Sequence, residues 1–156
     1  MLNNVILKCI YKWNKERGLL DNYDPALEFG MLQEEALEYA HSYIKTVNDF
    51  VGEDIHEMDE ERYNQIKPEL DVYINSEQFQ EDWRVNQLDA LCDVIFVAVG
   101  SMSKLLKDEE SVADALLEVC IANEQKGRDT ENGKITKPVD FVGPEEELRY
   151  ILRRVK

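Results

Sequence analysis

Residues that interrupt helices are scarce in this chain, with seven glycines and four prolines in 156 positions. That scarcity argues against a turn-rich β architecture and favours helix. Cysteine is scarce too. Cys9, Cys92 and Cys120 are odd in number, show no Cys-x-x-Cys spacing, and each falls in an apolar-periodic segment. They read as small core residues of a cytoplasmic protein. Long hydrophobic runs are missing: the apolar run at 94–100 is far too short to span a membrane, and no signal peptide is evident. Positive charge is in deficit, with 18 Lys and Arg against 33 Asp and Glu, a net charge of -15. A surface of that sign repels nucleic-acid backbone and anionic membrane, so neither is expected as a partner.

What is present is an ordinary apolar fraction, 44%, in a chain of single-domain length, read as one domain over 1–156. Residues 2–17 carry Val5, Ile6, Cys9, Ile10 and Trp13 at helical spacing before Gly18. Asp24 and Pro25 form a helix start, and the stripe Leu27, Met31, Ala36, Leu37, Ala40 and Ile44 predicts one helix over 25–47. The segment 51–82 is charged and least legible, with a helix kinked or ended near Pro68 and a further helix start in "NSEQFQEDW" (75–83), and is read as an insertion or flap. Helices are predicted over 85–106, 109–126 and 145–154, the last ending in Arg149, Arg153, Arg154 and Lys156. Between the last two, "ENGK" signals a turn and a short hairpin or ordered loop. The expected architecture is therefore all-α: four or five helices in an antiparallel bundle.

Two acidic groups stand out. Glu34, Glu35 and Glu38 share an edge of the second helix, and Asp89 and Asp93 lie four apart on the helix over 85–106. Acidic pairs on exposed helices are common. The aspartates differ because Leu88, Leu91, Cys92 and residues 94–99 are all apolar, so Asp93 is expected to be buried without a polar face. A buried carboxylate needs a basic partner, a proton or a metal. This helix has no basic residue between Arg84 and Lys104. A cation shared by the two acidic groups answers the burial, and carboxylates without a well-placed cysteine or histidine favour Mg²⁺, or Mn²⁺, over Zn²⁺.

The pattern "EExxE" on one helix followed by a "DALxDxxxxxxG" helix resembles the MazG-like and phosphoribosyl-ATP pyrophosphohydrolase-like all-α nucleotide pyrophosphohydrolases. The segment "EVCIANEQKGRDTENGKITKPVDFVGPE" (118–145) is similar to the tail of one branch, so the resemblance covers about residues 25–50 and 85–145. It implies a helical domain that hydrolyses nucleoside triphosphates to monophosphate and pyrophosphate with Mg²⁺, as a homodimer or homotetramer. Carried over by position, Glu35 and Glu38 match the paired glutamates, Glu34 precedes them, and Asp93 matches the final aspartate. Many members have a glutamate three residues before that aspartate; here the position is Ala90 and the acid is Asp89, which leaves open whether Asp89 reaches the metal directly or through water. The segment 51–82 has no counterpart. Glu35 is the expected residue to orient or deprotonate the attacking water. Lys126, Arg128, Lys134 and Lys137 are expected at the phosphates and Asn123 at phosphate, sugar or base. The plain alternatives are favourable charge at a helix C-terminus for Lys126 and Arg128, and a solvated hairpin for Lys134 and Lys137.

Three further readings compete with this one. Glu38-x-x-His41 and Glu53-x-x-His56 have the spacing of di-iron bundles, but the second follows Gly52 in a break only fifteen residues on. Trp13, Phe79, Trp83 and Phe96 either pack in the core or line a base pocket. A non-catalytic acidic module, binding a partner or mimicking DNA, explains the net charge but not acids embedded in the most apolar helix.

Overall fold

The computed structural model describes residues 5–128, of Arg128 the backbone alone, and 133–155. Residues 2–4 of the first predicted helix, Glu131 and Asn132 of the predicted turn, and Lys156 lie outside the described residues. The chain is all-α. Its helices are α1 (Val5–Glu16), α2 (Pro25–Ala40), α3 (Ser42–Val51), α4 (Glu60–Ile74), α5 (Glu77–Leu106), α6 (Glu109–Glu124) and α7 (Glu145–Arg154). Two short strands, β1 (Gly127–Arg128) and β2 (Ile135–Thr136), pair antiparallel with Gly127 opposite Thr136. Among the described residues, no helix is long and apolar enough to cross a membrane.

Seven helices among the described residues replace the four or five expected, and the helix boundaries depart from expectation at three places. The predicted helix over 25–47 is reset at His41, which leaves helical geometry (φ -95°, ψ 6°) between α2 and α3. The restart turns Ser42 and Thr46 inward, where both are buried. Pro68 does not end α4, which runs through it to Ile74. A proline inside a helix forfeits one hydrogen bond and costs about 3 kcal/mol. Burial of Ile66, Leu70, Tyr73 and Ile74 on the same helix offsets that loss. Finally, the further helix expected to begin within 75–83 and the helix expected over 85–106 are one, α5, which starts at Glu77 where the Ser76 hydroxyl accepts the Phe79 N–H at 3.1 Å.

The chain divides into two compact units. Asp24–Ala98 holds α2, α3, α4 and most of α5. Its core is Val47, Leu70 and Phe79, flanked by Val51, Ile55, Ile66, Tyr73, Ile74 and Trp83. The segment 51–82 thus supplies much of this core. Tyr43, Tyr73 and Trp83 surround Phe79, with Tyr43 and Tyr73 edge-on at 5.1 and 5.3 Å between ring centres. Asp24 caps α2 by accepting the N–H groups of Ala26 and Leu27, with Pro25 in the first turn, as its sequence predicts.

The other unit joins Met1–Tyr23 to Val99–Lys156. Ile10, Val99, Leu106, Val112, Ala115, Ala122 and Ile151 are buried there. Gly100 faces Asn14: a Cβ at Gly100 would lie 3.2 Å from the Asn14 amide nitrogen, so glycine permits this approach of α1 and α5. Asp108 caps α6 through the Ser111 N–H at 2.8 Å, and Arg154 of α7 reaches Ser111 and Asp114 at 2.8 and 2.6 Å. The cysteines are not core residues: all three are exposed, on helix faces that the chain itself does not cover.

Candidate metal centre

The five candidate acids lie in one unit, three on α2 and two on α5. A carboxylate oxygen from each of Glu35, Glu38 and Asp93 lies within 4.8 Å of the others. These residues come from the two quoted motifs, so the fold brings together what the sequence separates. Glu35 is half-buried; Glu34, Glu38, Asp89 and Asp93 are exposed. Desolvation raises the Glu35 pKa above the ordinary glutamate value, and the charges of Glu38, Asp93, Glu34 and Asp89 raise it further, in that order. Glu34 and Asp89 thus act on Glu35 from outside the close trio. Among the described residues, none of the five acids forms an ion pair with a lysine, arginine or histidine.

The expectation that Asp93 is buried is corrected. Leu88 is 63% exposed and Ile95 56%, and Leu91 and Cys92 are exposed beside them. The apolar residues of α5 divide between two faces. Ala90 and Val99 are buried and Val94, Phe96 and Val97 half-buried, while Val85, Leu88, Cys92 and Ile95 form a bare stripe. Asp89 and Asp93 sit in the open beside that stripe. What sets the trio apart is therefore its assembly from two helices and the raised pKa at its centre, and not burial on all sides.

The donor set fits a hard divalent cation. Three carboxylates offer oxygen only, their mutual repulsion is uncompensated by any basic side chain among the described residues, and the exposed side leaves room for waters and phosphate. A stability test follows from Glu35. Because its folded pKa lies above the unfolded one, its contribution is intact below the ordinary glutamate pKa and is lost as pH rises through the folded value. Glu35→Gln removes that pH dependence. The variant should therefore gain in Tm relative to the natural chain as pH rises through this window, and Mg²⁺ should close the gap. Thermal melts across a pH series, with and without Mg²⁺, measure both effects.

The other predicted site residues belong to the second unit. Lys126 donates to the Asn123 side-chain oxygen at 2.5 Å, and its Nζ lies 5.7 Å from the centre of the Phe141 ring. Lys137 approaches the same ring at 4.7 Å. Gln125 anchors the following loop by exchanging two 2.9 Å hydrogen bonds with the Val142 backbone. Asn123, Lys126 and Lys137 are thus gathered around Phe141, Lys134 is exposed just before β2, and the Arg128 side chain lies outside the described residues.

Neither histidine supports a di-iron site: His41 is the exposed turn between α2 and α3, and His56 lies exposed in the loop after α3. Phe79 and Trp83 are core residues, while Trp13 is partly exposed under the Arg17 guanidinium at 4.1 Å. Sequence reasoning missed Asp82 and Asn86, which continue the Asp89–Asp93 line backwards at steps of four and three. That spacing was the available signal. Comparison of the chain with family models, curated proteins and solved structures finds no match in any of the three.

Proposed function

We propose that this chain is a Mg²⁺-dependent nucleoside triphosphate pyrophosphohydrolase of the MazG-like kind, converting a ribo- or deoxyribonucleoside triphosphate to monophosphate and pyrophosphate. The observation that carries the proposal is the convergence of Glu35, Glu38 and Asp93 from two separate helices. Those three residues would hold Mg²⁺ or Mn²⁺, with Glu34 and Asp89, whose charges also act on Glu35, as proposed further ligands directly or through water. When bound, the ion supplies neutralising charge for the triphosphate and lowers the pKa of a water. Glu35 is the candidate catalytic base. Its raised pKa makes it a better proton acceptor than an ordinary carboxylate, and its half-buried position restricts its orientation. For Asn123, Lys126, Arg128, Lys134 and Lys137, which belong to the other unit, the resemblance alone suggests a role toward phosphates or nucleoside. Pyrophosphate release with Mg²⁺, abolished by EDTA, is the test.

A second reading draws on one observation. Four of the five acids are exposed, as a protein that occupies basic clefts requires. Such a module binds its basic partner equally well in EDTA and releases no pyrophosphate, so the same assay separates the two.

The bare stripe on α5 supports a homodimer or homotetramer. Val85, Leu88, Cys92 and Ile95 recur at steps of three, four and three, the seam spacing of helices that pair with one another. Sedimentation should find an oligomer at micromolar concentration, and Leu88→Glu should shift it to monomer with helical content unchanged. A natural chain that sediments as a compact monomer contradicts this assembly.

A further inference from the structure

The Asp24–Ala98 unit also holds a cavity of about 310 Å³ among α3, α4 and α5. Asp49 and Phe50 reach it from α3, Tyr73 from α4, and Asp82, Val85 and Asn86 from α5. It lies in line with the acids. Asp82, Asn86, Asp89 and Asp93 recur at steps of four, three and four, which places them on one face of α5. Asn86 precedes Asp93 by seven residues, or about 10 Å at the helical rise. Two hydrogen bonds tie α3 to α5 along this line: Trp83 Nε1 donates to Ser42 at 3.0 Å, and Asn86 Nδ2 donates to Thr46 at 2.9 Å.

We infer that this cavity is a nucleobase subsite, and that it accepts a base carrying an exocyclic amino group, guanine foremost, in preference to uracil or thymine. The inference rests on the pyrophosphohydrolase reading for the place of the phosphates, and on the cavity's own donor and acceptor inventory for the base. Carboxylates at Asp49 and Asp82 only accept; Asp82 already takes a Gln78 side-chain N–H at 2.8 Å on one oxygen, and Asp49 takes the Lys45 ammonium at 2.6 Å on Oδ2, which leaves Oδ1 of Asp49 open. The Thr46 hydroxyl spends its single proton on the Ser42 carbonyl at 2.7 Å. The Tyr73 hydroxyl donates its proton to Asp82 at 2.7 Å. Burial first, and that bond second, push the Tyr73 pKa up to about 12, so its oxygen stays a neutral acceptor. Asn86 commits one N–H to Thr46 and keeps its carbonyl as an acceptor and its second N–H as the one side-chain amide donor left in the lining. The remaining capacity is therefore dominated by acceptors.

A base that fits must bring donors. The pairing edge of guanine presents an N–H beside an amino group, two adjacent donors that one carboxylate can accept together. Uracil and thymine present two carbonyls around a single N–H, and those carbonyls would face acceptors. Asp49 is the recognition residue with open approach: its side chain is 56% exposed, and Lys45 at 2.6 Å balances its charge. Phe50 lies flat on Tyr73 at 3.9 Å and 9° between planes, and the pair gives the cavity an apolar wall for a planar ring.

The test uses the full chain and Asp49→Asn, a change at an exposed position that leaves the core untouched. Binding of GMP and UMP is measured in EDTA, and hydrolysis of GTP and UTP is measured with Mg²⁺. The natural chain should favour GMP over UMP, and GTP over UTP in kcat/KM, by at least about tenfold, the size of one or two net hydrogen bonds. Asp49→Asn supplies a donor and should narrow both ratios to about threefold or less. Equal hydrolysis of GTP and UTP, unchanged by Asp49→Asn, overturns the base subsite and leaves the pyrophosphohydrolase standing. Selective GMP binding without hydrolysis of any triphosphate supports the subsite and overturns the enzyme. Neither binding nor hydrolysis overturns both.

Discussion

Asp93→Asn should lower Mg²⁺-dependent kcat/KM by at least about 10³-fold with helical content unchanged. The size follows from the geometry of the trio. Asp93 is its only member from α5, so without it the remaining close ligands, Glu35 and Glu38, come from α2 alone. Removing one group that stabilises transition-state charge commonly costs about 10²- to 10³-fold. On the proposed reading the change would also weaken retention of the metal ion on which turnover depends. Unfolding is a poor explanation for such a loss, because Asp93 is exposed and replacement by the neutral amide relieves repulsion. Asp89→Asn provides the graded comparison. Asp89 acts on Glu35 from outside the trio, and an outer position should cost about 10- to 100-fold. Full turnover in Asp93→Asn removes the assigned metal centre.

Phe79→Ala should destabilise the chain by about 3–5 kcal/mol, the usual cost of deleting a buried aromatic ring. Phe79 is 1% exposed and touches elements on three sides: Val47 and Tyr43 from α3, Leu70 and Tyr73 from α4, and Trp83 one turn along α5. Those neighbours meet across helices, so they cannot collapse into the space without moving α3 or α4. Stability for a domain of this size is typically about 5–15 kcal/mol, which makes the loss a large fraction of the whole. Urea denaturation measures it. A loss below about 1 kcal/mol would mean that the aromatic cluster does not hold these helices together.

The same cluster shows where sequence reading stops. Local signals were sound where a side chain acts on its own backbone. Asp24 and Pro25 start α2, Gly18 (φ 66°) follows the end of α1, and the glycine-rich stretch pairs β1 with β2. The segment 51–82 was opaque because its helices owe their stability to partners distant in sequence. Nothing near Pro68 announces that Val47 and Phe79 will pack against α4 and sustain it through the proline. His41 is opaque for the opposite reason: the apolar stripe runs on through it, and the reset is a property of backbone angles. For the site, helical spacing put Glu35 near Glu38 and Asp89 near Asp93, but it could not join the pairs. The long apolar run also misled. Leu88 and Ile95 are as apolar as core residues, and a sequence does not separate a face covered by its own chain from one left bare.

The most direct measurement of the central claim is pyrophosphate release from a panel of ribo- and deoxyribonucleoside triphosphates, with Mg²⁺ and with EDTA. The pyrophosphohydrolase reading predicts stoichiometric monophosphate and pyrophosphate from at least one triphosphate, in Mg²⁺ only. Folded protein that yields no pyrophosphate from any member of the panel contradicts it, as does turnover that EDTA leaves unchanged.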